Sequence, residues 1–183
     1  MDPQIAAAIA PLLGWAVHGG ILTRRLATAR RDPLTGLHTR AGWIARAEHC
    51  IRRHPQAAVL LVDLDHFKTL NDTHGHAAGD AALTATAHRL RTWCGGHGTA
   101  GRLGGDEFVA IVPQLAAVDL DALTAALHEP LPYDGLSLPL AASVGACRVA
   151  ELPVPALTDA LAAADAAMYA AKGRGRRGSR SFR

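Results

Sequence analysis

The chain has 183 residues, 49% apolar and only 4% aromatic, which suits one domain with an aliphatic, alanine-rich core and a short extension. Its three cysteines, Cys50, Cys94 and Cys147, are odd in number and far apart; this argues against a disulfide framework or a zinc site of Cys/His spacing, and for free thiols in a reducing compartment. The net charge of +3 is unevenly placed: six of the 19 Lys and Arg lie in residues 172–183, which hold no acid, leaving 13 basic against 16 acidic residues upstream.

Residues 5–22 are mostly apolar but broken by Pro11, Gly14, His18, Gly19 and Gly20, and Arg24, Arg25, Arg30 and Arg31 come after them. A spanning helix needs about 20 apolar residues, so two readings stay open. One is a membrane anchor with its C-terminal side in the cytoplasm; the other is an amphipathic helix that packs on the domain or pairs with a second copy. No charged segment precedes the run, which disfavours a signal peptide. Residues 32–37 read as a turn and 40–53 as a helix, which Pro55 separates from the next element. The apolar run at 58–62 is too short for a typical helix and reads as a buried strand ending at Asp63-Leu64-Asp65. His74 and His76 read as exposed loop residues. A helix over 80–94 ends at Gly95-Gly96-His97-Gly98, and strands up to Leu103 and over 107–112 form a hairpin around Gly104-Gly105. A helix over 116–127, a strand or strand pair over 138–149 and a last helix over 155–171 complete the domain. From residue 177 the basic tail reads as disordered and solubilising. Helices interleaved with a mostly antiparallel sheet give an α/β (α+β) sandwich, with residues 1–30 as an N-terminal extension and 31–176 as the domain.

Two acidic clusters carry the chemistry. In Arg102-Leu103-Gly104-Gly105-Asp106-Glu107-Phe108, paired glycines let the backbone turn tightly and approach a bulky anion, and the acids beside them offer hard oxygen ligands to a divalent cation. Alone, this turn reads equally as a solubilising surface hairpin. Upstream, alternation puts Asp63 and Asp65 on one side of a buried strand's end, with Leu64 pointing away. Acids in such a place are costly unless solvated, paired or bound to metal.

Together these segments resemble the GGDEF family of diguanylate cyclase domains. The resemblance runs from about Asp32 to Arg176. It rests on Asp32-Pro33-Leu34-Thr35-Gly36-Leu37, on Asp63-Leu64-Asp65-His66-Phe67-Lys68 through Asn71-Asp72, and on His74-Gly75-His76 with Gly79-Asp80. The Gly-Gly-Asp-Glu-Phe turn comes next, then Ala164-Asp165-Ala166-Ala167-Met168-Tyr169-Ala170-Ala171-Lys172, all in the family's order. The resemblance implies a palm-like sheet shared with nucleotidyl cyclases and polymerases. It implies condensation of two GTP into cyclic di-GMP with loss of two pyrophosphates, by a homodimer in which two half-sites face each other. It implies magnesium, with manganese as an alternative, held by Asp63, the Leu64 carbonyl and Asp106. Asp106 also aligns with a proposed proton acceptor, Lys68 with a position that stabilises phosphate charge, and Lys172 and Arg176 with positions that reach the terminal phosphates. Gly104 and Gly105 border the substrate, as does His76, whose plainer reading is a loop histidine. Asn71 and Asp80 align with the base-reading pair. Guanine offers N1–H and its 2-amino group to a carboxylate, whereas adenine would leave Asp80 unpaired. The implied location is cytoplasmic, either free or anchored through residues 5–22 to the inner face of the membrane.

Two departures stand out. Thr39 occupies the usual Asn position after the Leu-Thr-Gly-Leu turn. Gly95-Gly96-His97-Gly98 replaces the Arg-x-x-Asp of the family's inhibitory product site, so no such site is expected. The competing readings are a non-catalytic GTP- or cyclic-dinucleotide-binding module and a nucleic-acid binder acting through the tail. The intact Asp63, Lys68, Asn71, Asp80 and Asp106 set favours catalysis, and no nucleic-acid partner is expected.

Overall fold

The computed structural model describes residues 30–115 and 119–178, with side chains through Lys172. The anchor and helix-pairing readings of residues 5–22 therefore fall outside the described residues. Among those described, no helix is long and apolar enough to cross a membrane.

In chain order the elements are β1 (His38–Thr39), α1 (Arg40–Arg53), β2 (Ala58–Leu64), α2 (Phe67–His74), α3 (His76–Cys94), β3 (Thr99–Gly104) and β4 (Glu107–Val112). After these come α4 (Leu120–Leu127), β5 (Leu131–Tyr133), β6 (Leu136–Leu138), β7 (Ala142–Arg148), a short 3₁₀ turn and α5 (Leu157–Gly178). Five strands form one sheet in the order β1-β3-β4-β2-β7. Only β1 and β3 run parallel; the remaining neighbours are antiparallel. Strands β5 and β6 pair separately as a hairpin.

The apolar run of β2 is explained by its central place, since it needs to fill both faces. Leu60, Val62 and Leu64 join Leu83 and Leu90 of α3 and Leu123 and Leu127 of α4. Val59 and Leu61 meet Trp43 and Ile51 of α1 and Ala160, Ala164 and Met168 of α5. Each such fully buried aliphatic side chain stabilises the fold by about 1.5–3 kcal/mol. Helix α5 approaches β7 so closely that a Cβ at Gly145 would collide with the Ala164 carbonyl oxygen and the Met168 amide. The three cysteines are free thiols, and burial pushes Cys94 up to about 12, which leaves it an inert part of the core.

The helix at 40–53 and the 107–112 strand of the hairpin fall where the sequence places them, and the hairpin's first strand ends one residue past Leu103. Thr39 takes up helix capping, its hydroxyl accepting from the Gly42 amide at 3.4 Å. Other boundaries move. The helix expected from residue 80 begins at His76, because the Ala77-Ala78 step extends it back to Gly75, whose φ of +83° ends the preceding helix. His74 and His76 are thus helical, though exposed. Helix α2 is an addition to the expected elements: it has no fully buried residue, and its apolar stripe, Phe67 and Leu70, is too short to reveal it. Residues 116–118 lie outside the described residues. Helix α4 starts at Leu120 because Asp119 caps it, accepting from the amides of Asp121 (2.9 Å) and Ala122 (3.0 Å). The last helix runs beyond residue 171 to Gly178.

Candidate active site

The fold brings the two acidic clusters to one end of the central strands. Asp63 pairs in register with Glu107 on β4 and with Ser143 on β7, so these three side chains share a sheet face. The Leu64 amide donates to the Asp106 carbonyl at 3.3 Å, seating the glycine turn against the end of β2. Leu64 itself is buried in the opposite layer. The Ser143 hydroxyl donates to both Asp65 oxygens, at 2.9 and 3.1 Å, which holds Asp65 on the side of Asp63. Lys172, delivered by α5, donates to Asp63 Oδ1 at 2.6 Å. Arg176 lies further along the same helix, where side chains fall outside the described residues.

Gly104 and Gly105 adopt φ of +148° and +54°, and a Cβ at either would meet nothing within 4 Å. Their need for glycine is torsional, and the open space beside them leaves the turn's backbone accessible. The turn is pinned by a residue to which sequence reading gave no role. Arg102 donates through Nε (3.0 Å) and Nη2 (2.7 Å) to the Gly105 carbonyl, and through Nη1 to Asp32 Oδ1 at 3.2 Å. Asp32 Oδ1 also accepts the Thr35 amide (2.8 Å) and hydroxyl (2.6 Å). Burial alone would raise the Asp32 pKa. The Thr35 hydroxyl and amide together with Arg102 outweigh it and hold the carboxyl below its ordinary value. An arginine two residues ahead of the paired glycines was the available signal.

The base-reading candidates come together by a different device. The Asn71 carboxamide on α2 packs against Gly79 of α3, where any Cβ would run into its oxygen, and Asp80 is the next residue. Lys68 lies one turn before Asn71 on α2, and His76 one turn before Asp80 on α3; Lys68, His76 and Asp80 are exposed. A cavity of about 260 Å³ lies behind α2, lined by Phe67, Leu70, Thr73 and His74 with Leu138 and Ala141. Leu64 and Asp65 also line it, whereas Asp63, Lys68, Asn71, Asp80 and Asp106 do not, so the cavity adjoins the half-buried acidic strand ends that form the candidate site.

Among the described residues, no three His, Cys, Asp or Glu side chains converge as a ready-made metal cage. The expected donor set does not require one. Magnesium is commonly held by one or two carboxylates with the balance from substrate phosphate and water, and Asp63, Asp106 and the Leu64 carbonyl supply hard oxygens of that kind.

The site is thus a five-stranded sheet flanked by helices, with carboxylates gathered at a hairpin turn and the adjoining strand end. Residues 29–178 match the family described as diguanylate cyclase, GGDEF domain, and the chain belongs to that family. An uncharacterised 19.3 kDa protein of Streptomyces ambofaciens is 83% identical over 183 residues, covering 100% of both chains. The diguanylate cyclase TpbB of Pseudomonas aeruginosa is 38% identical over 165 residues, which is 83% of this chain but 37% of that protein. The crystal structure of a sensory box/GGDEF family protein from Caulobacter crescentus superposes with a TM-score of 0.71 at 38% identity, covering 80% of this chain and 99% of that one.

Proposed function

We propose that this protein is a diguanylate cyclase that condenses two GTP into cyclic di-GMP, releasing two pyrophosphates, as a magnesium-dependent homodimer. The observation that carries the reading is the junction of the two acidic clusters, with the Asp106 main chain hydrogen-bonded to Leu64 beside Asp63. A magnesium ion, with manganese as an alternative, would be held by Asp63, the Leu64 carbonyl and Asp106, and supplies charge neutralisation at the phosphates and a lower pKa for the attacking 3′-hydroxyl.

The chain's own residues do the rest. Gly104 and Gly105 admit the phosphates to the open turn. Lys68 faces charge that develops on the α-phosphate, where a fixed cation favours the transition state. Asn71 and Asp80 select guanine through hydrogen bonds that adenine would leave unmade, and His76 borders the same pocket. Lys172 and Arg176 reach the terminal phosphates from α5. One domain holds one GTP, so attack of one 3′-hydroxyl on the other α-phosphate requires two copies facing each other.

Incubation with GTP and magnesium, followed by chromatographic separation of nucleotides, tests this directly. The wild type should form cyclic di-GMP, and Asp106→Ala should form at least about a hundredfold less. Identical blanks for both would replace the cyclase reading with a nucleotide-binding module.

A further inference from the structure

The 2.6 Å contact between Lys172 Nζ and Asp63 Oδ1 is a product of packing. Ala160, Ala164 and Met168 recur every fourth residue along α5 and are buried against the sheet. Lys172 is the next residue in that row, so the stripe that docks the helix also aims this side chain at the end of β2. Gly145 fixes the helix at its distance, since any Cβ there would push it away. Both charged groups are mostly shielded, with side-chain exposures of 32% for Lys172 and 19% for Asp63.

An ammonium at hydrogen-bonding distance of Oδ1 competes with a divalent cation for the charge of the same carboxylate, because the two positive charges repel at such a separation. Asp63 therefore has two alternatives: paired with Lys172, or carrying the divalent ion with Lys172 elsewhere. Lys172 in turn needs another anion once it leaves, and the terminal phosphates of a nucleotide are the anion that this site admits. We propose that Lys172 is an exchangeable internal counter-ion of Asp63, which leaves the carboxylate for the nucleotide's phosphates so that metal and nucleotide load together. The proposal rests on the assignment of Asp63 as a metal ligand.

Thermodynamic reciprocity gives the test. Manganese alone is titrated into the nucleotide-free protein and its free concentration read by electron paramagnetic resonance. The wild type is compared with Lys172→Met, Lys172→Gln and Asp63→Asn, and thermal melts identify which variants are folded. Removing the ammonium should tighten manganese binding about tenfold, within the range ordinary for linked sites. A non-hydrolysable GTP analogue should strengthen manganese binding in the wild type by more than in either Lys172 variant. Equal manganese affinity in the wild type and a folded Lys172 variant, with Asp63→Asn weaker, would overturn the exchange while leaving Asp63 a metal ligand. Unchanged affinity in Asp63→Asn would remove the assignment of Asp63 and the exchange with it.

Discussion

Asp32 lies far in sequence from the glycine turn, yet its carboxylate receives the arginine that grips that turn. The motif around Asp32 was recognisable, but its partner was not, because a contact across 70 residues leaves no trace in local spacing. The pKa of Asp32 is lower in the folded chain than its ordinary 3.8. Its contribution to stability is thus fully present above 3.8 and is lost as pH falls through the lower folded-state value. Asp32→Asn should cost about 1–2 kcal/mol at neutral pH and flatten this part of the acid limb of stability, as read by denaturant unfolding at several pH values. An acid limb as steep as the wild type's would show that another carboxylate carries it. The proposed base-reading pair offers a second residue-scale test. Asn71 and Asp80 were legible as letters of a motif, whereas the steric role of Gly79 emerges only when two helices meet. Gly79→Ala should displace the Asn71 carboxamide and raise the KM for GTP about tenfold, the equivalent of one lost hydrogen bond. An unchanged KM would separate Asn71 from base recognition.

Elements with a buried apolar stripe were readable, and those without one were not. Strand β2 and helix α1 announce themselves because core packing imposes their pattern. Helix α2, which carries Lys68 and Asn71, is eight residues long with none fully buried, and β1 is two residues long. The connection between α3 and β3 was legible for another reason: Gly95-Gly96-His97-Gly98 is nearly devoid of side chains. Gly95 ends α3 with a φ of +57°. At Gly98 a Cβ would lie 3.0 Å from both Cys94 Cβ and Val112 Cγ1, so this end of the connection is packed tightly beneath. The turn presents neither a guanidinium nor a carboxylate to a bound dinucleotide. Initial rates should therefore stay constant as cyclic di-GMP is added to the assay. Half-maximal inhibition at low micromolar product, persisting in variants altered elsewhere, would mean that a different surface binds it.

At the scale of the whole molecule, the order β1-β3-β4-β2-β7 could not be read from the chain, because it depends on pairings between strands distant in sequence. What sequence did carry was the order of the motifs, and the fold turns that order into one half-buried acidic edge. On the proposed cyclase reading, a single edge of this kind accounts for one nucleotide. Two phosphodiester bonds between two nucleotides need a second edge opposite the first, which a two-fold pair of identical chains supplies without any further residue. Mass action then governs the rate: below the dimer's dissociation constant, specific activity should rise in proportion to protein concentration, and above it should level off. Initial rates across a dilution series, set beside sedimentation at the same concentrations, test this. A constant specific activity over a range in which the protein sediments as a monomer would refute the paired arrangement. The same series distinguishes the two readings of the N-terminal run. If residues 5–22 pair with a second copy, they raise the effective concentration of the two domains, and deleting residues 1–29 should move the midpoint to higher protein concentration. If that segment serves only as an anchor, the midpoint in detergent-free solution should not move.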